Sequence, residues 1–303
     1  MLTAEELKKA APGADIRTNE PMSEHTTFRV GGPARVFAIP SCEAEVEALV
    51  RLCRMKDEPY TVIGRGSNLL VSDEGYSGVV ICIGDLFSRI IINKDGIEAE
   101  AGAGLVAVSA AARRASFTGL EFACGIPGSL GGAIAMNAGA YGGEMKGVVR
   151  SVRVLDREGF VRTLSCGEMN FRYRGSRVMD EDLIVLSASL DLSHGNSREI
   201  ELRMNELLTA RREKQPLEYP SAGSTFKRPE GYFAGALIEQ AGLKGFAVGG
   251  AQVSGKHAGF VINRGGATAS DIMELCRIVQ DRVYEDSGVR LEMEVRTLGE
   301  FDR

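Results

Sequence analysis

Arg174, Ser224 and Glu294 are the residues of this 303-residue chain whose types and settings offer chemistry. Arg174 stands in Asn170-Phe-Arg-Tyr-Arg-Gly-Ser176. If that stretch is extended, Arg172 and Arg174 point one way and Phe171 and Tyr173 the other. A planar, permanently charged guanidinium suits a carboxylate, although a surface ion pair accounts for the same residues. Ser224 lies in Ser221-Ala-Gly-Ser-Thr-Phe-Lys-Arg228. It reads as a turn or cap serine, or as the neighbour of a phosphate held by Lys227 and Arg228. A hydrolase elbow is not supported, because Pro127 stands where PGSLG would need glycine. Glu294 shares an alternation face with Glu292 in LEMEV, as a solvated carboxylate or a site carboxylate. Gly250 to Lys256 has P-loop spacing, but His257 replaces the required Ser or Thr and a strand-like AGFVIN follows.

Two glycine loops could cradle a ligand between these residues. The first is Gly64-Arg65-Gly66-Ser67-Asn68-Leu69, at the end of the apolar run Tyr60–Ile63. It is no dinucleotide fingerprint, since Leu69 occupies the place of a third glycine and no helical pattern follows. The second lies within GLEFACGIPGSLGGAIAMNAGAYGGE, with seven glycines between Gly125 and Gly143. There IPGSLGG reads as a turn opening a short helix, where free N–H groups and the dipole would favour an anion. A tight crossing of backbones without ligand is the alternative. Two such loops could grip one long diphosphate from two sides.

The elements that must position these groups are mixed. Thr3 and Glu6 form a capping box before a short helix, and Ser41 is expected to cap a helix over 43–55. Strands are expected over 35–39, 60–63, 79–83, 90–92 and 97–101, with a helix over 105–115. A hairpin turns at Asp156-Arg-Glu-Gly159 between 152–155 and 160–164, and 183–192 alternates like a half-buried strand. His194-Gly-Asn-Ser197 is the candidate linker before a charged helix over 198–214. A helix over 233–241, strands over 246–248 and 259–263, a helix over 270–285 and a strand over 289–295 complete the chain. The pattern is α+β.

Composition narrows the class of function. Apolar residues make 44% and charged residues 25%, and the net charge of −5 opposes nonspecific nucleic-acid binding. No apolar run has the length of a membrane span and no secretory signal opens the chain. Six cysteines without a CxxC pair suit a reducing cytoplasm, and three histidines without HExxH spacing argue against a metal centre.

GRGSNLL, GIPGSLGGAIAMNAGAYGGE, FRYRGS, SAGSTFKRP, GKHAGFVIN and LEMEV occur in that order. Together, over His25 to Gly299, they resemble the UDP-N-acetylenolpyruvoylglucosamine reductase family of bacterial peptidoglycan precursor synthesis. The resemblance implies an FAD-binding fold of the vanillyl-alcohol-oxidase/PCMH type plus a C-terminal α+β substrate domain. Its divisions would be 1–57 (joined by 291–303), 58–194 and 195–290. It implies tightly bound FAD held by Gly64 to Leu69 and by Gly125, Pro127, Gly128, Ser129, Gly132, Ala133, Asn137 and Gly139. NADPH would be the hydride donor, and the UDP-sugar would enter an overlapping site lined by Lys227, Arg228, Lys256 and His257.

In the resemblance, Arg174 holds the substrate carboxylate, Ser224 delivers a proton and Glu294 orients the enolpyruvyl group. Leu183–Leu192 passes quickly through HGNS, as in the branch lacking an inserted tyrosine loop. No metal, no nucleic acid and no membrane enter this reading. Another flavin oxidase of the same fold, or a non-catalytic nucleotide-binding protein, is the alternative.

Overall fold

The computed structural model describes residues 1–301. The chain folds into two compact units, each discontinuous. The first comprises Met1–Thr18, Val36–Arg65 and Gly78–Arg211; the second comprises Asn19–Arg35, Gly66–Ser77 and the chain from Arg212 onward. Three of the change-over points fall inside the strands Asp15–Pro21, Pro33–Ile39 and Tyr76–Cys82, where a continuous strand carries no boundary signal in the sequence.

In the first unit, Tyr60–Ile63 runs parallel to Tyr76–Cys82, in register from Tyr60↔Val79 to Ile63↔Cys82. The helix Glu43–Met55 buries Val46, Leu49, Val50 and Cys53, the helical spacing of a one-sided apolar stripe. Its N-cap is Cys42 rather than Ser41. The Ser41 N–H and hydroxyl both donate to Glu45 at 2.8 Å, so that serine ties the approach to the helix instead of capping it. Five antiparallel strands form a second sheet, ordered Val161–Ser165, Val149–Leu155, Ile184–Asp191, Gly96–Glu100, Ile90–Asn93. The helix Leu105–Arg114 packs on strands Ile90–Asn93 and Gly96–Glu100, and the helix Leu130–Ala135 packs on Ile184–Asp191 and Gly96–Glu100. The long helix Ser197–Lys214 buries Ile200, Met204 and Leu207 around Cys124.

The second unit is built around the helix Ala269–Ser287, which buries Ile272, Leu275, Cys276, Val279 and Val283. Thr268 and Asp271 form a capping box at its start, and Gly288 ends it in the left-handed region at φ 71°. A small antiparallel sheet, Ala247–Val248, Ala251–Val253 and Val261–Asn263, and the helix Ala234–Gln240 pack with it. The strand expected over 289–295 is absent as such. Phe226↔Met293 is a single bridge there, and the closing strand is Arg296–Leu298, parallel to Leu69–Val71. The alternating side chains of 291–295 mark a segment with one bridge partner, and ladder pairing begins only beyond Val295.

Candidate active site and cofactor cradle

The glycines of the first loop are demanded by packing. A Cβ on Gly64 would stand 2.1 Å from Ser129 Oγ. Gly66 has φ 58°, and a Cβ there would lie 1.9 Å from the His25 carbonyl oxygen. Only glycine fits that second position without moving backbone. Among the described residues, the N–H groups of Arg65, Gly66, Ser67 and Asn68 donate to no acceptor. Four successive donors left over in one tight turn suit a phosphate. Arg65 pairs with Asp85 at 2.5 Å, and the Cys82 thiol donates to the Gly64 carbonyl at 3.6 Å. Burial pushes that thiol up to about 11, so it stays protonated under the loop.

The second loop departs from the expected mechanism. Ser129 does cap the helix Leu130–Ala135, accepting from the Gly132 N–H at 3.4 Å. The preceding N–H groups are already engaged, Leu130 with Ala103 at 2.8 Å and Gly131 with Ala101 at 2.9 Å. Free donors at that helix start are therefore not what this loop offers. Its glycines divide in role. Gly131 is needed for packing, because a Cβ would meet Ala101 Cβ at 3.0 Å, whereas at Gly132 it would meet only Ser129 Oγ at 3.5 Å. Gly132 and Pro127 are exposed, Gly128 is half-buried and Ala133 is buried. A Cβ on Gly139 would stand 2.7 Å from the Gly143 carbonyl oxygen, inside the two-strand turn.

Asn137 is spent inside the protein. It is 2% exposed, with φ 42°, donates to Glu144 at 3.0 Å and to the Arg172 carbonyl at 3.2 Å, and accepts from the Lys146 N–H at 2.9 Å. It thus ties the glycine-rich stretch to the turn that carries Arg174. That turn is not extended. Arg172 bridges to Gly175, and Arg174 itself adopts φ 53°. The two arginines consequently diverge. Arg172 forks onto Asp180 at 2.8 and 2.5 Å, while Arg174 is half-buried with its guanidinium carbon 5.3 Å from the exposed Tyr173 ring. Phe171 is buried, and the Ser176 hydroxyl donates to the Ala135 carbonyl at 2.9 Å.

In the second unit, Ser224 and Glu294 stand on paired segments. The Glu294 N–H donates to the Thr225 carbonyl and the Lys227 N–H to the Glu292 carbonyl, each at 2.8 Å, flanking the Phe226↔Met293 bridge. Thr225 is fully buried, and its hydroxyl accepts from the Val261 N–H at 2.9 Å. Ser224, one residue earlier, is exposed. The first glycine loop joins the same framework, since the Asn68 side-chain amide donates to the Glu294 carbonyl at 3.0 Å and the Arg296 N–H donates to the Asn68 carbonyl at 3.1 Å. Neither tie is visible in the motifs read singly.

The four residues expected to line the sugar nucleotide have separate local partners. Lys227 pairs with Glu292 at 2.9 Å. The Arg228 guanidinium lies 4.0 Å over the Phe233 ring. Lys256 donates to the Arg212 carbonyl at 2.6 Å. His257 accepts the Gly259 N–H on Nδ1 at 3.0 Å, and burial holds its imidazole below the ordinary value. Among the described residues no group of three or more His, Cys, Asp or Glu could hold a metal, and no helix is long and apolar enough to cross a membrane.

A family model described as an FAD binding domain matches residues 34–165, spanning both glycine loops. With the orphaned donors of Arg65 to Asn68, this defines a flavoprotein built on the FAD-binding fold of vanillyl-alcohol-oxidase-like enzymes. A second model, the C-terminal domain of UDP-N-acetylenolpyruvoylglucosamine reductase, matches residues 215–298. The reductase of that name from Syntrophomonas wolfei is 51% identical over 95% of this chain and 97% of its own. That of Caldanaerobacter subterraneus is 48% identical over 99% of both. The crystal structure of the reductase from Thermus caldophilus superposes with a TM-score of 0.80 at 36% identity, covering 94% of this chain and 99% of that one. The chain belongs to the UDP-N-acetylenolpyruvoylglucosamine reductase family, as an FAD-dependent oxidoreductase.

Proposed function

We propose that this chain reduces the enolpyruvyl ether of UDP-N-acetylglucosamine to UDP-N-acetylmuramate with NADPH, in the cytoplasmic supply of peptidoglycan precursors. The observation that carries the reading is the tie between Asn68 of the flavin loop and the Glu294 segment, which in turn pairs with the Ser224 segment. The residues present fit FAD. Gly64 to Leu69 would hold its diphosphate through N–H groups, and Gly132 leaves room for close approach beside Gly125, Pro127, Gly128 and Ser129. Asn137, Ala133 and Gly139 would keep that stretch in shape.

Bound FAD supplies hydride-transfer chemistry between NADPH and the substrate double bond. Reduction also requires one proton on the neighbouring carbon, where negative charge builds beside the carboxylate. Arg174 would hold that carboxylate and stabilise the developing charge. Ser224 would deliver the proton, and Glu294 would orient the enol ether. Lys227, Arg228, Lys256 and His257 would receive the UDP-sugar.

NADPH and the UDP-sugar would use overlapping space in turn. The sequence shows no dinucleotide fingerprint or P-loop for NADPH, and both molecules must reach the same flavin. Ping-pong kinetics, with excess UDP-sugar competing against NADPH, is the expected pattern. Intersecting initial-rate plots together with a ternary complex of oxidised enzyme, NADP and UDP-sugar would remove the shared site.

A further inference from the structure

Helix Ser197–Lys214 presents Ile200, Met204 and Leu207 to Cys124, with Leu208 packed beside them. The next position on that stripe, one turn beyond Leu207 and Leu208, is Arg211. An apolar side chain belongs there by pattern. Instead the arginine lies over the entrance of the second glycine loop: a Cβ on Gly125 would stand 2.9 Å from Arg211 Cδ and 3.5 Å from its Nη1. Arg211 has no hydrogen bond and no carboxylate partner among the described residues. Burial pulls its guanidinium below the ordinary value, more than the nearby Tyr141 and Cys124 raise it. Other first-unit arginines contrast with it: Arg65, Arg113, Arg153 and Arg172 are paired with carboxylates. A desolvated cation without a counter-charge is costly, and an anionic ligand removes that cost.

We infer that Arg211 is a nucleotide-phosphate anchor, its counter-ion a diphosphate group lying along the Gly125 loop. The inference rests on the flavin reading of that loop. Two bound molecules carry this chemistry, FAD itself and the UDP-sugar. An uncharged apolar ligand would leave the guanidinium desolvated, whereas a diphosphate offers several oxygens to a planar five-donor fork. Proximity to the glycine loop favours FAD.

The test uses purified holoenzyme of Arg211→Met, Arg211→Lys and the packing control Leu208→Ala. Flavin release is followed by fluorescence after dilution, and UDP affinity is measured on enzyme that retains flavin. Arg211→Met should release FAD about ten- to a hundredfold faster, the effect of losing a charge-assisted hydrogen bond. Arg211→Lys should fall between it and the parent. The unfolding temperature of flavin-stripped Arg211→Met should equal or exceed the parent's, because the desolvated charge is gone. In Leu208→Ala it should drop. Normal flavin retention with UDP affinity weakened to the same extent would assign the anchor to the sugar nucleotide. Normal retention and normal UDP affinity would overturn the inference. So would an Arg211→Met protein whose losses track a lowered flavin-free stability, since Arg211 would then be a packing residue. If the parent enzyme carries no flavin at all, the flavin reading fails first and independently.

Discussion

The side-chain amide of Asn68 donates to the main-chain carbonyl of Glu294 at 3.0 Å, across 226 residues of sequence. A residue of the first glycine loop thereby fixes the backbone that carries a proposed catalytic carboxylate. Asn68→Ala should remove one net hydrogen bond, about 0.5–1.5 kcal/mol of stability. If the tie also sets geometry, reoxidation of flavin by the UDP-sugar should slow while reduction by NADPH changes little. Stopped-flow traces in which the two half-reactions slow equally would assign Asn68 to flavin binding alone.

Gly66 and Gly132 should respond to substitution in different ways. Gly66→Ala places a Cβ 1.9 Å from a backbone oxygen at φ 58°, so the protein should fold poorly whatever flavin is present. A Cβ at Gly132 meets only Ser129 Oγ within the protein, at 3.5 Å, so Gly132→Val should fold and yet bind flavin weakly. Absorbance of bound flavin against unfolding temperature separates the two. Full flavin occupancy in a folded Gly132→Val enzyme would remove that glycine from the cradle.

Ser224 serves only the second half-reaction in this account. Ser224→Ala should leave reduction of flavin by NADPH near the parent rate and slow transfer to the enolpyruvyl group by about 10²–10⁴-fold. Slow reduction with normal reoxidation would reverse the assignment.

The motifs and the first cap were legible in sequence for local reasons. Thr3 and Glu6 mark a helix start through their own side chains, and the helices expected over 43–55 and 270–285 show a one-sided apolar period. What escaped depends on distant partners. Asp15–Pro21 is a strand with little burial, so hydropathy gives it no signal. Ala251–Val253 is a strand inside a segment whose glycines and lysine mimic P-loop spacing. The Arg174 turn looks extended because Phe171 and Tyr173 alternate with arginines. The Arg172–Gly175 bridge, the Asn137 bond to Arg172 and the left-handed Arg174 reveal otherwise. At the second loop, whether N–H groups are free depends on Ala101 and Ala103, which lie nearly thirty residues upstream.

Asp73 links stability to pH. Burial alone would raise its carboxyl, but donors from the Ala269 N–H, the Ser270 hydroxyl and the Ser270 N–H, at 2.7 to 2.9 Å, hold it below the ordinary value. A depressed folded-state value means the contribution is present above the unfolded-state carboxyl value and is lost as pH falls through the folded one. Asp73→Ala should cost about 0.5–1 kcal/mol near neutrality, the lower part of the range for helix caps because the group is exposed. The difference from the parent should vanish in acid. A pH-independent difference in denaturant midpoints would show that the carboxylate charge is not its source.

The central claim is hydride delivery from NADPH to the enolpyruvyl ether through protein-bound FAD, and an anaerobic visible spectrum tests it most directly. The purified protein should show oxidised flavin absorbance, lose it on addition of NADPH, and regain it on addition of UDP-N-acetylglucosamine enolpyruvate with formation of UDP-N-acetylmuramate. Flavin that bleaches with NADPH but regains colour only when oxygen is admitted, with the UDP-sugar unchanged, would contradict the account.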